Sequence, residues 1–361
     1  MNNIPKTMKA MVMFGINDIR MVTDKPVPTP KAGEVLVKVA ACGLCGTDVK
    51  IITKGEAAMP GLPPFGSFTP GHEWTGTVAA LGPGVTEFEI GDRVAVQAHS
   101  GCGRCENCMS GNYTSCLNYG RLDKGHRTTG MTDDGGFAEY AIHNVNAVYK
   151  LPDNVSLTDA TYVTTLGCGL WAVDTSGGYI AGDSCLVMGS GPIGLSAVQA
   201  CRALGAEKVV LVGTREERLK IGREVGATHT INIRETEDVL GELMKITGGK
   251  GFERTYDCAG TESSFDVCMR ATMKGQKMTI VSFYKDAIKA DLNYAIRNGI
   301  QLHTVRGEGG NNCKRALSLM AQGKVTAKPI MTHIFPMEEF DKAYDYFVNR
   351  KDGAMKVIIT P

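Results

Sequence analysis

No stretch of this chain approaches the roughly 18 uninterrupted apolar residues that a membrane-spanning helix requires, so no membrane association is expected. Charge of one sign is equally scarce: 39 Lys and Arg stand against 38 Asp and Glu, a net charge of +1. That balance removes the electrostatic ground for binding nucleic acid or an anionic surface and leaves a small molecule as the expected partner. The opening segment, Met1 to Thr7, lacks the apolar core of a secretory signal, so a cytoplasmic location is expected. Internal repeats and low-complexity segments are also missing.

What is present is 361 residues, 43% of them apolar, with 44 glycines and 12 cysteines. At roughly 150 residues per domain this is enough for about two domains with cores of their own. In a reducing compartment, clustered cysteines more often hold metal than form disulfides. The cysteines are unevenly spread: Cys102, Cys105, Cys108 and Cys116 crowd one short segment, Cys42 and Cys45 form a second pair, and the rest sit singly among apolar residues.

Along the chain, Met8 to about Tyr149 reads as short strands broken by Gly, Pro and Asp turns, with Val35–Val39 and Arg93–Val96 as examples. From about Leu157 strands alternate with helix-length amphipathic segments, the pattern of βαβ units and a parallel sheet. Cys185–Met188 and Val209–Val212 read as strands buried on both faces. Between them Gly194, Ala197, Val198, Cys201 and Leu204 recur at helical spacing. Tyr256–Cys258, Thr279–Val281 and Ile300–Val305 are further strand candidates, and the tail reads as a helix followed by the strand Lys356–Ile359.

Gly189-Ser-Gly191-Pro192-Ile193-Gly194 follows the first of these strands and opens the helix, the context a dinucleotide fingerprint requires. The first glycine permits the turn, the second lets the backbone approach a pyrophosphate, and the third lets helix pack on strand, while the helix N-terminus supplies unpaired N–H groups. A carboxylate at the end of the second strand would select NAD through the ribose 2′-hydroxyl. This chain has Gly213-Thr214-Arg215 there, with Arg218 close behind, which favours NADP(H) over NAD(H): glycine removes repulsion and arginine can pair with a 2′-phosphate. The bland alternative is that both arginines are solvated charges at a helix start.

Cys102-x2-Cys105-x2-Cys108-x7-Cys116 places four thiolates within reach of one ion in a loop with little apolar content. A closed four-Cys zinc site would supply the folding energy that such a loop lacks, and it leaves no position open for substrate. A nucleic-acid zinc ribbon is the other reading, which the neutral charge disfavours. Cys42-Gly-Leu-Cys45-Gly-Thr47-Asp48 and Gly71-His72-Glu73 offer a thiolate, an imidazole and carboxylates. One Cys, one His and a carboxylate leave an open position, as a catalytic zinc needs.

Taken together with Gly91-Asp92-Arg93-Val94 and Gly135-Gly-Phe-Ala-Glu-Tyr140, these motifs resemble the zinc-containing medium-chain dehydrogenase/reductase family, in its alcohol, polyol and threonine dehydrogenase branches, from Met8 to Pro361. The resemblance implies an α/β chain: a GroES-like β-rich catalytic domain over residues 1–154, with a structural zinc lobe at 100–118 and completion by 308–361. A Rossmann NADP-binding domain with a doubly wound parallel sheet would span 155–307, with the active site in the cleft between the two. It further implies two zinc ions per chain, a homodimer or homotetramer, Cys45 and His72 as catalytic zinc ligands, and Glu73 ligating directly or standing just behind. Asp48 would orient His72, Thr47 would pass the substrate proton, and the lobe cysteines would hold structural zinc.

Two positions depart from that pattern. Where these branches carry a third ligand the chain has Thr164, with Cys168 one helical turn on, so Thr164, Cys168 or water is left to complete the shell. Lys50 stands where the family usually has the outer His of the proton relay. The expected chemistry is reversible hydride transfer between NADP(H) and a small secondary alcohol, polyol or cyclitol or its ketone, with zinc as Lewis acid. Thr47, Tyr119, Trp171 and the segment Thr53 to Phe68 are pocket candidates. The competing expectation is a protein that keeps NADPH and zinc binding without dehydrogenase activity. A zinc-independent reductase of conjugated double bonds is disfavoured by Cys45 with Gly71-His72-Glu73.

Overall fold

The computed structural model describes residues 4–361, which divide into two compact units. The first holds the chain up to Thr164, together with Glu308–Ala321 and Ile330–Pro361. The second holds Thr165–Gly307 and Gln322–Pro329.

In the first unit β1 (Thr7–Gly15) and β2 (Asp18–Pro26) form an antiparallel ribbon. A larger sheet is built on β3 (Glu34–Gly43), β4 (Glu73–Leu81) and β5 (Arg93–Val96), while β6 (His99–Gly101) and β7 (Arg127–Thr128) make a small pair beside the cysteine lobe. β8 (Tyr140–Asn144) pairs with β3, and β9 (Val148–Lys150) with β5. Strand β3 is central, and Val35, Leu36 and Val37 are all buried while Lys38 alone is exposed. Continuous burial replaces alternation because both faces are covered.

The second unit contributes β10 (Ser184–Met188), β11 (Lys208–Gly213), β12 (His229–Asn232), β13 (Phe252–Asp257), β14 (Thr272–Ile280) and β15 (Gln301–Thr304). All pair in parallel, in the order β12-β11-β10-β13-β14-β15. That order reverses at β10, the doubly wound arrangement whose switch point lies at the carboxyl end of the first strand. The helix Pro192–Ala203 that follows β10 buries every residue from Gly194 to Cys201, so more than the striped face expected from its sequence is covered. The chain then returns to the first unit, where β16 (Met331–Pro336) and β17 (Lys356–Thr360) extend the large sheet beside β3.

The boundaries differ from 154/155 and 307/308 in two details. Residues 155–164 stay with the β-rich unit because the helix Leu157–Ala160 packs on β3, β4 and β5, and Thr75 Oγ1 donates to the Leu157 carbonyl at 2.7 Å. Gln322–Pro329 belongs to the second unit, where Gln199 pairs both ways with the Thr326 backbone, at 3.0 and 2.7 Å.

One buried histidine in this fold makes a measurable prediction. His143 on β8 is 2% exposed and its Nε2 lies 2.8 Å from the Gln97 carbonyl, so it donates as a neutral ring. Burial draws its pKa from 6.5 down to about 4. The unfolded chain therefore binds a proton that the fold refuses: stability is full above about pH 6.5 and falls as pH drops toward 4, by up to about 3 kcal/mol. Urea midpoints of the wild type and His143→Gln should diverge at pH 7.5 and converge toward pH 4.5, since the amide can still donate to Gln97. Parallel pH profiles for the two proteins would contradict this.

Candidate functional site

Cys45 caps the helix Gly46–Lys54 in extended conformation, with φ −126° and ψ 157°. Its N–H donates to Asp48 Oδ2 at 2.8 Å, which fixes the carboxylate within the first helical turn. The other oxygen of Asp48 lies 3.3 Å from His72 Nδ1, and Asp48 is fully buried. With Nδ1 turned to Asp48, Nε2 is the ring nitrogen left to bind a metal. His72 reaches this place because Gly71 takes φ +96°, where a side chain would run into Cys42 Sγ and Phe137 at 2.9 Å. Glu73 begins β4 opposite Gly43 of β3, and a Cβ on Gly43 would meet Glu73 Oε2 at 2.7 Å. One donor atom each from Cys45, His72 and Glu73 lies within 4.8 Å of the others. A thiolate, an imidazole and a carboxylate at that spacing fit a zinc ion with a position left open. Burial opposes charging of His72, but the Asp48 carboxylate and the Cys45 sulfur outweigh it and raise its pKa well above the usual value. A cation is thus favoured in this spot, either a proton on the ring or a metal beside it.

Lys356, which sequence reasoning missed, is the surprise of the site. It is 2% exposed on β17, and its ammonium is hydrogen-bonded to Glu73 Oε2. Burial lowers the Lys356 pKa, but Glu73, Cys45 and Asp48 together raise it above its usual value, so it stays charged. The available signal was a lysine heading an otherwise apolar strand, Lys356-Val-Ile-Ile359, where a charge needs a buried partner.

The remaining candidates fall at various depths. Thr47 is half-buried in the first turn after Cys45, and Lys50 is exposed on the same helix. Cys42 is fully buried and its thiol is pushed up by burial, so it reads as a packing residue behind the donors. Thr164 is 4% exposed and its hydroxyl donates to the Val96 carbonyl at 3.2 Å. Cys168 and Trp171 lie half-buried on the helix Val163–Thr175, in the second unit. Tyr119 lies against the His126 ring and donates to Met59 Sδ at 3.6 Å; Phe68 is fully buried, while Thr53 is exposed and bonded to the Val49 carbonyl.

The lobe cysteines also converge. The Sγ atoms of Cys102 and Cys108 are 4.0 Å apart, as are those of Cys105 and Cys116. Four sulfurs at about 2.3 Å from a tetrahedral zinc would be separated by roughly 3.8 Å, whereas a disulfide requires about 2 Å. Burial opposes ionisation of Cys102, but donors led by the Asn118 side chain, at 3.2 Å, bring its thiol down to about 6. Burial drives Cys116 the other way, to about 12. Gly101, at φ +60°, presses on this cluster: a Cβ there would stand 2.5 Å from Cys108 Sγ.

In the second unit the three glycines of the turn after β10 serve different ends. A Cβ on Gly189, at φ +105°, would meet the Cys258 backbone at 2.9 Å, and one on Gly194 would lie 1.7 Å from the Gly189 carbonyl. A Cβ on Gly191 would touch no protein atom within 4 Å. Packing thus explains the outer two, and space for a ligand explains the middle one. Pro192 and Ile193 open the helix whose N-terminus faces that space. Gly213 ends β11, with Ser190 Oγ 2.4 Å from where its Cβ would be; Thr214 is exposed, and Arg215 caps the helix Glu216–Glu224, with Arg218 half-buried in its first turn.

Comparison with known proteins matches the two halves of the chain in turn. Residues 31–153 match the alcohol dehydrogenase GroES-like domain, and residues 192–322 match the zinc-binding dehydrogenase family. The chain is 31% identical to sorbitol dehydrogenase of Bacillus subtilis (strain 168), over 100% of this chain and 99% of the relative. It is 33% identical to L-threonine 3-dehydrogenase of Pyrococcus furiosus, over 91% of each. Among solved structures, a protein of Sinorhizobium meliloti 1021 assigned as a zinc-binding dehydrogenase and bound to NADP superposes with a TM-score of 0.86 at 26% identity, covering 99% of this chain and 100% of that one. With both halves matched in order and a relative aligned from end to end, the chain belongs to the zinc-containing medium-chain dehydrogenase/reductase family, oxidoreductases that act on CH–OH groups.

Proposed function

We propose that this protein transfers hydride reversibly between NADP(H) and a secondary alcohol of a small polyol or cyclitol, or its ketone. Zinc would be held by Cys45, His72 and Glu73 at the reacting centre and by Cys102, Cys105, Cys108 and Cys116 in the lobe. The observation that carries this reading is the convergence of Cys45, His72 and Glu73, with Asp48 fixed behind the imidazole. A zinc ion bound there supplies Lewis acidity to the substrate oxygen. Asp48 holds the His72 ring in one orientation, and Lys356 balances the charge of Glu73. The Thr47 hydroxyl, in the turn after Cys45, takes the substrate proton, and exposed Lys50 on the same helix leads it toward solvent. Gly191 and the N-terminus of the helix Pro192–Ala203 receive the pyrophosphate, while Thr214, Arg215 and Arg218 receive the 2′-phosphate.

A panel of small polyols, cyclitols and ketones assayed with NADP(H) and NAD(H), together with a zinc count and solution mass, tests the reading. Two zinc ions per chain, faster turnover with NADP(H) and a dimer or tetramer are expected. Equal or better turnover with NAD(H) would overturn the cofactor assignment, and a folded protein with zinc in the lobe alone and no turnover would overturn the enzyme. Gly213→Asp places a carboxylate where the 2′-phosphate would lie, and it should shift the NADPH to NADH ratio of kcat/KM toward NADH by on the order of 10²-fold. The new Cβ would stand 2.8 Å from Ser190 Cβ as well as 2.4 Å from its hydroxyl, so the turn after β10 must shift slightly to admit it, and melting midpoint serves as the control for folding.

A further inference from the structure

Asp257, the last residue of β13, is fully buried, and its carboxylate is met by donors from two segments of the second unit. Oδ1 accepts the backbone N–H groups of Ala259 and Gly260, at 3.0 and 3.2 Å, which closes the turn after β13. Oδ2 accepts the phenol of Tyr284, in the segment that follows β14. The Asp257 carbonyl accepts two N–H groups from that same segment, Val281 at 2.9 Å and Ser282 at 3.2 Å. One residue thus ties the turn after β13 to the segment after β14. Burial and the Asp257 carboxylate both push the phenol pKa up, so Tyr284 stays a donor. Its ring meets Phe265 edge-on, with 6.4 Å between centroids, so the hydroxyl is presented from a packed base.

The tied pieces lie against the glycine turn. The Cys258 N–H donates to the Met188 carbonyl at 2.8 Å, and a Cβ on Gly189 would stand 2.9 Å from the Cys258 backbone. Gly260, at φ +68°, continues the contact: a Cβ there would meet the Phe283 carbonyl at 2.7 Å. In a doubly wound sheet a dinucleotide lies across the carboxyl ends of the strands, one half on each side of the switch point. The end of β11, with Thr214 and Arg215 behind it, takes the adenosine half in the reading above, so the ends of β13 and β14 lie under the nicotinamide half. A buried carboxylate deprived of a donor is costly, more so than a neutral acceptor, so the Tyr284 hydroxyl is a strong constraint on this bed.

We propose that Tyr284 is a positioning residue for the nicotinamide half of the cofactor, acting through the Asp257 carboxylate and the turn that it closes. This rests on the dinucleotide-binding reading above and holds for NADP(H) and NAD(H) alike.

The test compares dissociation constants for the whole cofactor and for its adenosine fragment: NADPH against 2′,5′-ADP, or NADH against 5′-AMP if the protein takes that cofactor. Tyr284→Phe keeps the packed ring and removes only the hydroxyl. It should weaken the whole cofactor by about tenfold and leave the fragment within about twofold. Asp257→Asn should also weaken the whole cofactor, and adding Tyr284→Phe to it should change little further, because the phenol acts through that carboxylate. Melting midpoint controls for folding. Unchanged cofactor affinity in a folded Tyr284→Phe protein, equal losses on cofactor and fragment, or additive losses in the double variant would overturn the proposal while leaving the enzyme reading intact. A wild type that binds neither cofactor would overturn both.

Discussion

Cys45→Ala is expected to lower kcat/KM by at least about 10³-fold while leaving the fold and one zinc per chain in place. Lewis acidity at the reacting oxygen contributes several kcal/mol, and about 4 kcal/mol corresponds to three decades in rate. The fold should tolerate the change because the bond that orders this turn runs from the Cys45 backbone N–H to Asp48 and does not involve the sulfur. The measurement is steady-state turnover beside a zinc count: the count should drop from two to one. Wild-type turnover by a folded Cys45→Ala protein would remove Cys45 from the mechanism.

The reciprocal change, Cys108→Ser, should have the largest effect on stability. Between Gly101 and Asn118 the buried residues are Gly101, Cys108, Thr114 and Cys116, while Met109 and Leu117 are exposed, so the lobe has sulfur where other loops have an apolar core. Structural zinc sites contribute on the order of 10 kcal/mol to folding, and breaking one ligand forfeits most of that. The expected result is loss of one zinc and rapid proteolytic cleavage within 102–118. Acid should do the same to the wild type, because binding requires thiolates. Cys108→Ser protein that keeps two zinc ions and resists protease would show that the lobe folds without metal.

What could be read from the sequence was short-range. The glycine turn, the four-Cys lobe and the strand-helix alternation each declare themselves within about 20 residues, because their physics acts between near neighbours. β12 went unnoticed because only four residues form it and His229 at its start is exposed. The pairs Glu73 with Lys356 and His99 with Glu308 could not be matched from the sequence, since each joins residues more than 200 positions apart. Lys356 heads an apolar strand and Glu308 stands between Gly307 and Gly309, and neither segment carries its partner nearby. Only the sheet order, which brings β17 against β3, puts the lysine beside the carboxylate.

That last pairing has a consequence for synthesis. Glu73 and Lys356 are 283 positions apart, so the ribosome makes the carboxylate long before its counter-charge. At about 5–20 residues per second the delay is on the order of tens of seconds. The lobe cysteines, all within one short segment, are complete as a donor set as soon as they emerge. Cys45, His72 and Glu73 have by then also been made, but in a nascent sheet without β16 and β17, where Glu73 has no ammonium to balance it. The charge of Glu73 is thereby balanced only when the closing strand docks, late in the assembly of this sheet.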